Sequence, residues 1–140
     1  MSGESEWDES VDERNTTRLR EIVDEMGWPT ISKVGAEASH AAWLLAQHAS
    51  ADPQLMKTCL ALMKQAPEGD VRPADIAYIE DRLLTMEEKP QIYGTQFFRG
   101  DDGWEPLPIQ NPESVDERRS SVDLEPLAEY LARMKEAYGS

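Results

Sequence analysis

Apolar residues recur every three or four positions along most of the chain, which is the pattern of helices that bury one face. Capping residues mark where helices begin and end: Gly27 follows the first apolar stripe, and Pro53 and Pro73 open two later ones. The pattern predicts helices at about 8–26, 35–48, 53–66, 73–88, 112–120 and 125–138.

The segment 34–52 contains the run AAWLLA, which has no charged residue and no helix breaker. A helix of this kind has no obvious solvent-facing side, so we expect it to lie at the centre of the fold. Gln47 and His48 close the run. A buried amide or imidazole without a hydrogen-bond partner costs about 1–3 kcal/mol, so other segments must supply polar partners. The segment therefore predicts a polar pocket in the interior.

The character of the sequence changes after Pro90. The segments QIYGTQFF and WEPLPI are rich in β-branched and aromatic residues, and RGDDG between them is typical of a turn. This pattern predicts a β-hairpin or an extended clasp at about 91–109, confined to an edge by its prolines. We therefore predict one mainly α-helical domain over 7–140, a bundle of five to six helices with this small β segment, preceded by a disordered segment 1–6.

The balance of charge is strongly acidic, with 28 acidic and 14 basic residues and a formal net charge of −14. Such a charge repels nucleic-acid phosphates and anionic membranes, so neither is an expected partner. It suits a basic protein partner or a mimic of DNA, although many soluble acidic proteins share it. No apolar run approaches 18 residues and the N-terminus lacks the features of a signal peptide, so we predict a cytoplasmic protein.

The residue types that bind metals and cofactors are sparse. Cys59, the single cysteine, stands among apolar residues at helical spacing and is expected to be buried and inert. His40 and His48 lie about 12 Å apart along a helix axis, too far to share one metal ion. The chain has no GxxxxGK[ST], GxGxxG or GxSxG motif. We predict neither a metal nor a cofactor.

Polar residues inside the predicted helices are the first candidates for chemistry. His48 titrates near neutrality and can act as a general acid or base, or it can be a satisfied structural group. Asp81 and Arg82 lie between core positions of the fourth helix, so at least one of them points inward. We expect each to meet a group from another helix, where it either forms a structural ion pair or binds a ligand.

The segment PQIYGTQ carries the densest set of polar groups. Gly94 permits positive φ or a close approach of the backbone. The uncharged donors and acceptors around it suit the orientation of a polar substrate, or they satisfy a clasp over the helices. These residues are Gln91, Tyr93, Thr95 and Gln96.

The hexapeptide ESVDER occurs twice, at 9–14 and 113–118. The recurrence is either accidental or the mark of two similar helix starts. Each copy presents an aspartate and an arginine followed by another polar residue, and these groups either bind a ligand or are solvated capping charges. They are Asp12, Arg14 and Asn15 in the first copy and Asp116, Arg118 and Arg119 in the second.

Taken together, these residues resemble an uncharacterised bacterial domain family of unknown function. The shared pattern spans about residues 12–130 and reads DxxN, GWP, SxVG, QHA, DR, PQxYGTQ and VDxRR in chain order. The resemblance implies a bacterial, single-domain protein and this choice of polar residues, and it supplies no mechanism. It leaves both an enzyme and an interaction role open.

The hypothesis favoured by the pattern is a small cofactor-independent enzyme, a hydrolase, lyase or isomerase or cyclase, that acts on a small polar molecule by acid–base chemistry. In it His48 moves the proton, Asp116 or Asp12 orients His48, and arginines hold an anionic group of the substrate. The predicted catalytic residues are His48, Asp116, Asp12 and Tyr93, and the predicted substrate-binding residues are Asn15, Gln47, Asp81, Arg82, Gln91, Thr95, Gln96, Arg118 and Arg119.

A second hypothesis is an acidic interaction module, for instance an immunity-type inhibitor of a basic toxin or enzyme. Such an inhibitor concentrates carboxylates on one face, whereas the enzyme turns a neutral or positive cleft outward. A ligand-binding protein without catalysis is a third hypothesis. The pattern makes no prediction of the oligomeric state.

Overall fold

A computed structural model of the chain describes residues 9–49, 51–101 and 103–138, without the side chains of 9–12 and 138. These residues confirm a mainly α fold with one small antiparallel hairpin. The elements are α1 Glu9–Met26, α2 Ile31–Val34, α3 Ala36–Gln47, α4 Pro53–Gln65, α5 Pro73–Met86, β1 Phe97–Gly100, β2 Gly103–Pro106, a 3-10 turn Pro112–Ser114, α6 Val115–Ser121 and α7 Leu127–Tyr138.

The chain divides into two compact units, Met1–Arg72 and Pro73–Ser140, which are called the N-terminal and C-terminal units below. One domain over 7–140 stays a prediction, and the predicted disordered segment 1–6 lies outside the described residues. No helix in the described part of the chain is long and apolar enough to cross a bilayer.

The N-terminal unit is organised by the apolar faces of α1, α3 and α4. Gly27 ends α1 with a φ of 74°, and its N–H donates to the carbonyl oxygen of Val23 at 2.9 Å. Asp52 caps α4, accepting from the N–H of Leu55 at 3.1 Å. The buried apolar residues of this unit are Leu19, Val23, Trp28, Ala42, Trp43, Ala46, Ala49, Leu55, Met56, Cys59, Met63 and Val71.

The short helix α2 is the one helix that the sequence pattern did not predict. Its N-terminus is held from the far end of the unit by the carboxylate of Asp70, which accepts from the N–H of Ser32 at 2.7 Å and from its hydroxyl at 2.6 Å. Hydrogen bonds from Ser32 lower the pKa of Asp70. A one-turn helix of this kind depends on a distant residue, which explains why local periodicity misses it.

The prediction that the central helix has no solvent-facing side is wrong. In α3 the side chains of Glu37, Ala41 and Leu44 are exposed, Leu44 to 43%. They lie at i, i+4 and i+7 and so share one face. The run AAWLLA lacks charge, but alanine has little apolar surface and can be exposed at small cost. The buried residues of the opposite face are Ser39, Ala42, Trp43 and Ala46.

The C-terminal unit combines α5, the hairpin and the paired helices α6 and α7. In the hairpin Phe97 pairs with Pro106 and Gly100 with Gly103. The ring of Phe97 lies 5.6 Å from that of Tyr130 on α7. The segment 91–96 connects α5 to the hairpin, and an isolated parallel bridge joins Gln91 to Ile109. The hydrogen bonds that the segment 91–96 makes with the rest of this unit define the candidate site.

Candidate functional site

The segment Gln91–Gln96, called the clasp below, is held from one side by a buried carboxylate. Asp81 on α5 is 0% exposed. Its Oδ1 accepts from the N–H of Ile92 at 2.7 Å and from that of Tyr93 at 3.1 Å. Its Oδ2 accepts from the N–H of Thr95 at 3.1 Å and from the Thr95 hydroxyl at 2.9 Å. The prediction that one of Asp81 and Arg82 points inward is confirmed, and Asp81 meets a loop rather than another helix.

The position of Asp81 on an apolar helix face explains its environment. Its neighbours Ala77, Ile79 and Leu83 on α5 are buried with it. Burial raises the pKa of Asp81, while the donors from Ile92, Tyr93 and Thr95 act in the opposite direction. A carboxylate in such a place is stable because backbone N–H groups replace the water it has lost.

The carbonyl groups of the clasp point the other way, towards two adjacent arginines of α6. Arg118 donates from Nε to the carbonyl of Ile92 at 2.8 Å. Arg119 donates from Nη1 to the carbonyls of Tyr93 at 2.8 Å and of Gly94 at 3.1 Å. The peptide groups of the clasp therefore donate their N–H groups to a carboxylate, and their carbonyl oxygens accept from guanidinium groups.

Gln91 closes the clasp on itself. Its side chain is 0% exposed, and its Nε2 donates to the carbonyls of Gln96 at 2.9 Å and of Leu107 at 3.0 Å. Its Oε1 accepts from the N–H of Gln96 at 2.9 Å. The hydrogen-bonding groups of this buried amide are thus satisfied within the chain, and a ligand of Gln91 would have to displace these bonds.

Arg119 is the most deeply buried charge of the unit after Asp81, at 1% exposure. Its Nε donates to the carbonyl of Glu125 at 2.6 Å, and its guanidinium carbon lies 5.2 Å from the centroid of the Tyr130 ring. Burial lowers the pKa of Arg119. Its Nη2 atom is buried and has no hydrogen-bond partner among the described residues.

Arg82 lies beside Asp81 on α5 and is half-buried. Its Nη1 is 3.5 Å from Oε1 of Gln96, whose Nε2 donates to the hydroxyl of Thr95 at 3.0 Å. The Thr95 hydroxyl donates in turn to Asp81, so a chain of side chains links the two neighbours through the clasp. Burial lowers the pKa of Arg82, and its Nε is buried without a partner in the described part of the chain.

Gly94 is required by the geometry of the clasp. Its φ is +68°, a region that other residues rarely adopt. A Cβ at this position would lie 3.2 Å from side-chain atoms of both Ile109 and Leu127. The glycine therefore allows both the turn of the chain and the close approach of α7.

The second ESVDER copy begins the 3-10 turn and α6, and its groups have internal partners. Asp116 is exposed and accepts from the N–H of Leu127, the first residue of α7, at 2.9 Å. Arg118 also donates to the hydroxyl of Ser114 at 2.8 Å. This copy therefore links α6 to α7 and to the clasp.

The first copy forms the start of α1, where the side chain of Asp12 lies outside the described residues. Arg14 is exposed, and Asn15 is half-buried. Both belong to the N-terminal unit.

The polar groups at the end of α3 do not form the buried pair that the sequence pattern predicted. His48 is the C-cap residue of α3, and its side chain is exposed, while Gln47 is half-buried. His40 is half-buried and stacks on Trp43, with ring centroids 5.1 Å apart. The expectation of a buried imidazole at position 48 is therefore wrong, whereas its predicted role in catalysis stays a prediction.

The clasp also depends on residues that the sequence analysis did not select. Glu125 and Leu107 contribute only main-chain oxygens, and Tyr130 contributes a ring face. Every residue type has a main-chain carbonyl, so the sequence cannot show which carbonyls accept hydrogen bonds. The signal in the sequence was the many N–H donors of Arg118 and Arg119, which require acceptors.

The described residues contain no group of three or more histidine, cysteine, aspartate or glutamate side chains placed to hold a metal ion. Asp81, Gln91, Arg118 and Arg119 bond peptide groups of the clasp, and Thr95 donates to the Asp81 carboxylate. The side chain of Tyr93 is half-buried, and its pKa is raised by burial and by Glu80.

The model of a family described as a family of unknown function, DUF6624, matches residues 7–140. No curated protein and no solved structure matches the chain.

Proposed function

We propose that this chain, which belongs to the DUF6624 family, is an acidic interaction module that binds a basic protein partner. The family carries no described activity, so the proposal rests on the contacts of this chain alone. This proposal is the interaction-module hypothesis of the sequence analysis, and we prefer it to the enzyme hypothesis.

The excess of exposed carboxylates carries this proposal. Arg119 is fully buried and Arg82 and Arg118 are half-buried, while Asp81 is fully buried and several other described carboxylates are half-buried, so burial withdraws charges of both signs. Among the side chains that the structure describes, more acidic than basic ones remain exposed. The outer surface is therefore acidic, in keeping with the net charge of −14.

The use of the clasp residues also supports a binding module. A substrate that took the acceptors of Asp81 or the amide of Gln91 would have to break buried hydrogen bonds within the chain. Each such bond contributes about 0.5–1.5 kcal/mol, and each donor left unsatisfied costs about 1–3 kcal/mol more. These residues fix a loop, and a rigid loop lowers the entropic cost of binding a partner.

The experiment that tests this proposal measures a saturable complex and its dependence on salt. The tagged chain is cross-linked in its native cells, the partner is identified, and the complex is rebuilt from the two purified proteins. We expect a basic partner and an association rate constant that falls at least about tenfold between about 50 and about 300 mM salt, because electrostatic steering is screened.

The matched control compares a variant that removes two negative charges with one that removes none. Glu117→Gln with Glu129→Gln neutralises two exposed carboxylates of the C-terminal unit, and it should slow association without changing the fold. Thr58→Ser on α4 changes no charge and should have no effect. A partner that is acidic, or a complex whose association ignores salt, contradicts the proposal.

A second candidate function is the binding or conversion of a small anionic molecule. Nη2 of Arg119 and Nε of Arg82 are buried donors without a partner among the described residues, and an anion would supply acceptors for them. Thermal unfolding with a panel of carboxylates and phosphates tests this. An anion that raises the Tm of the wild type and not that of Arg119→Met supports it, and a flat response contradicts it.

A further inference from the structure

The outer face of the hairpin carries side chains that the clasp does not use. Side chains alternate across a β-strand, so Phe98 and Gly100 of β1 share a face with their cross-strand partners Glu105 and Gly103. The other face carries Phe97, which contacts Tyr130 of α7. The face with Phe98 therefore points away from the helix.

Two side chains on this outer face are open to solvent and have complementary chemistry. Phe98 is 43% exposed, and Glu105, directly opposite it in the register, is also exposed. The turn that follows β1 adds the exposed carboxylate of Asp101.

Gly100 brings these two side chains together. A Cβ placed there would clash with Oε2 of Glu105 and would lie 3.2 Å from Cε2 of Phe98, so the carboxylate and the ring edge both lean over the glycine. The φ of Gly100 is outside the left-handed region, so the backbone itself does not demand glycine. What the glycine provides is space that both the carboxylate and the edge of the ring approach.

A carboxylate beside an aromatic ring is a combination that recognises cationic side chains. The carboxylate forms a charge-assisted hydrogen bond, and the face of the ring attracts the cation through its quadrupole. The inner face of the same hairpin shows the cation–ring contact alone, where the guanidinium of Arg99 lies 5.7 Å from the Trp104 ring centroid. The outer face has the ring and the acid without an arginine of β1 or β2.

We propose that Phe98, Gly100 and Glu105 form a docking surface for a lysine or arginine side chain of the basic partner. This inference rests on the proposed function and names the part of the molecule that makes first contact. A second copy of the chain is disfavoured as occupant, because two chains of net charge −14 repel each other. The hairpin thus supplies an anchor, and the remaining acidic surface supplies long-range attraction.

The test titrates the full chain with a tri-arginine peptide blocked at both ends and follows backbone amide signals by NMR. We expect a saturable response that is largest at Phe98, Gly100 and Glu105. Gly100→Ala should weaken binding about fivefold or more, because the new methyl group displaces the carboxylate from the ring. This variant leaves the net charge unchanged, so loss of non-specific attraction cannot explain the result.

Two further variants protect the test from a folding artefact. Phe98→Ala removes the ring and should weaken peptide binding about threefold to fivefold, and Glu105→Gln should do the same. The matched control is Glu136→Gln on α7, which removes the same charge from another exposed position and should change the affinity less than about twofold. Unchanged amide signals for β1 and β2 outside the substituted residue establish that each variant is folded.

The possible outcomes separate this inference from the proposed function. If the peptide does not bind, or binds Gly100→Ala and Phe98→Ala as well as the wild type, the docking surface is wrong. If the natural partner binds wild type and Gly100→Ala equally in a salt-dependent manner, the docking surface is wrong and the proposed function stands. If no basic partner exists, both fail.

Discussion

The two units of the chain bury opposite kinds of side chain. The N-terminal unit buries mainly apolar side chains, with Met56 at 0% and Met63 at 1% exposure. Among its described residues, the buried polar ones are Thr30 and Ser39. The C-terminal unit buries Asp81, Gln91, Thr95 and Arg119 around the clasp. The first interior is held mainly by packing, and the second by directed bonds to peptide groups.

This difference determines how each unit responds to change. An apolar interior tolerates a substitution that keeps volume, because dispersion contacts have no direction. A buried polar network fails when one member is removed, since each remaining donor or acceptor is left in a place without water. We therefore expect the stability of the C-terminal unit to depend on individual polar atoms. The stability of the N-terminal unit should depend on the volume of its buried side chains.

The largest expected effect is that of Asp81→Ala. The substitution leaves the part-buried N–H groups of Ile92 and Tyr93 and the buried N–H group of Thr95 without an acceptor, and we expect the free energy of unfolding to fall by about 3–5 kcal/mol. Hydrogen exchange at these three amides measures the effect where it arises. They should exchange as fast as loop amides, while the amides of α4 keep their protection.

Met63→Ala on α4 is the matched substitution in the apolar interior. It should cost about 2–5 kcal/mol through the cavity it leaves, and the loss of amide protection should fall in α4 and not in the clasp. Asp81→Asn keeps an acceptor oxygen and should lie between wild type and Asp81→Ala. Equal exchange of the clasp amides in wild type and Asp81→Ala would mean that the Asp81 carboxylate does not hold the clasp in place.

An intermediate effect is expected from Gly94→Ala. It combines a φ of +68° with contacts of 3.2 Å to Ile109 and Leu127, and we expect a loss of about 2–3 kcal/mol. Gly69→Ala is the control, because its φ of +87° imposes similar strain while nothing lies within 4 Å of the new methyl group. It should cost about 1 kcal/mol. Urea unfolding of both variants measures the difference, and equal losses would mean that the close approach of α7 is unimportant.

Much of the fold follows from local pattern, because its signals lie within a few residues of one another. Apolar periodicity and the caps at Gly27, Pro53 and Pro73 predict the longer helices, and the hairpin is found within the predicted interval 91–109. The burial of Cys59 is likewise predicted from its helical neighbours and is confirmed. Periodicity thus predicts the long helices of both units, and it misses α2, whose position depends on the distant carboxylate of Asp70.

The candidate site is less predictable, since the pattern identifies which residues are unusual and not what they contact. Asp81, Gln91 and Arg119 were selected for their polarity, and each forms hydrogen bonds with peptide groups. Main-chain partners carry no residue-specific signal. His48 was expected to be buried because the run before it lacks charge, yet the helix ends there and the side chain is exposed.

The smallest expected effect concerns Asp52, a half-buried carboxylate of the N-terminal unit. Hydrogen bonding from the N–H of Leu55, with a further contribution from Arg20, holds the pKa of Asp52 below its ordinary value. A carboxyl group whose pKa is lowered in the folded state adds stability above its unfolded pKa and loses it as the pH falls. Wild type should therefore lose stability relative to Asp52→Asn as the pH falls from about 5 to about 2.

Asp52→Asn and Asp52→Ala separate the charge of Asp52 from its capping bond. Asparagine keeps an oxygen for the N–H of Leu55 and loses only the charge that faces Arg20, so we expect a difference from wild type of less than about 1 kcal/mol near neutral pH. Alanine also loses the cap and should cost about 1 kcal/mol more at every pH. Urea unfolding at a series of pH values measures both curves. A gap between wild type and Asp52→Asn that stays constant down to low pH would mean that the charge of Asp52 contributes nothing, and that α4 depends on the capping oxygen alone.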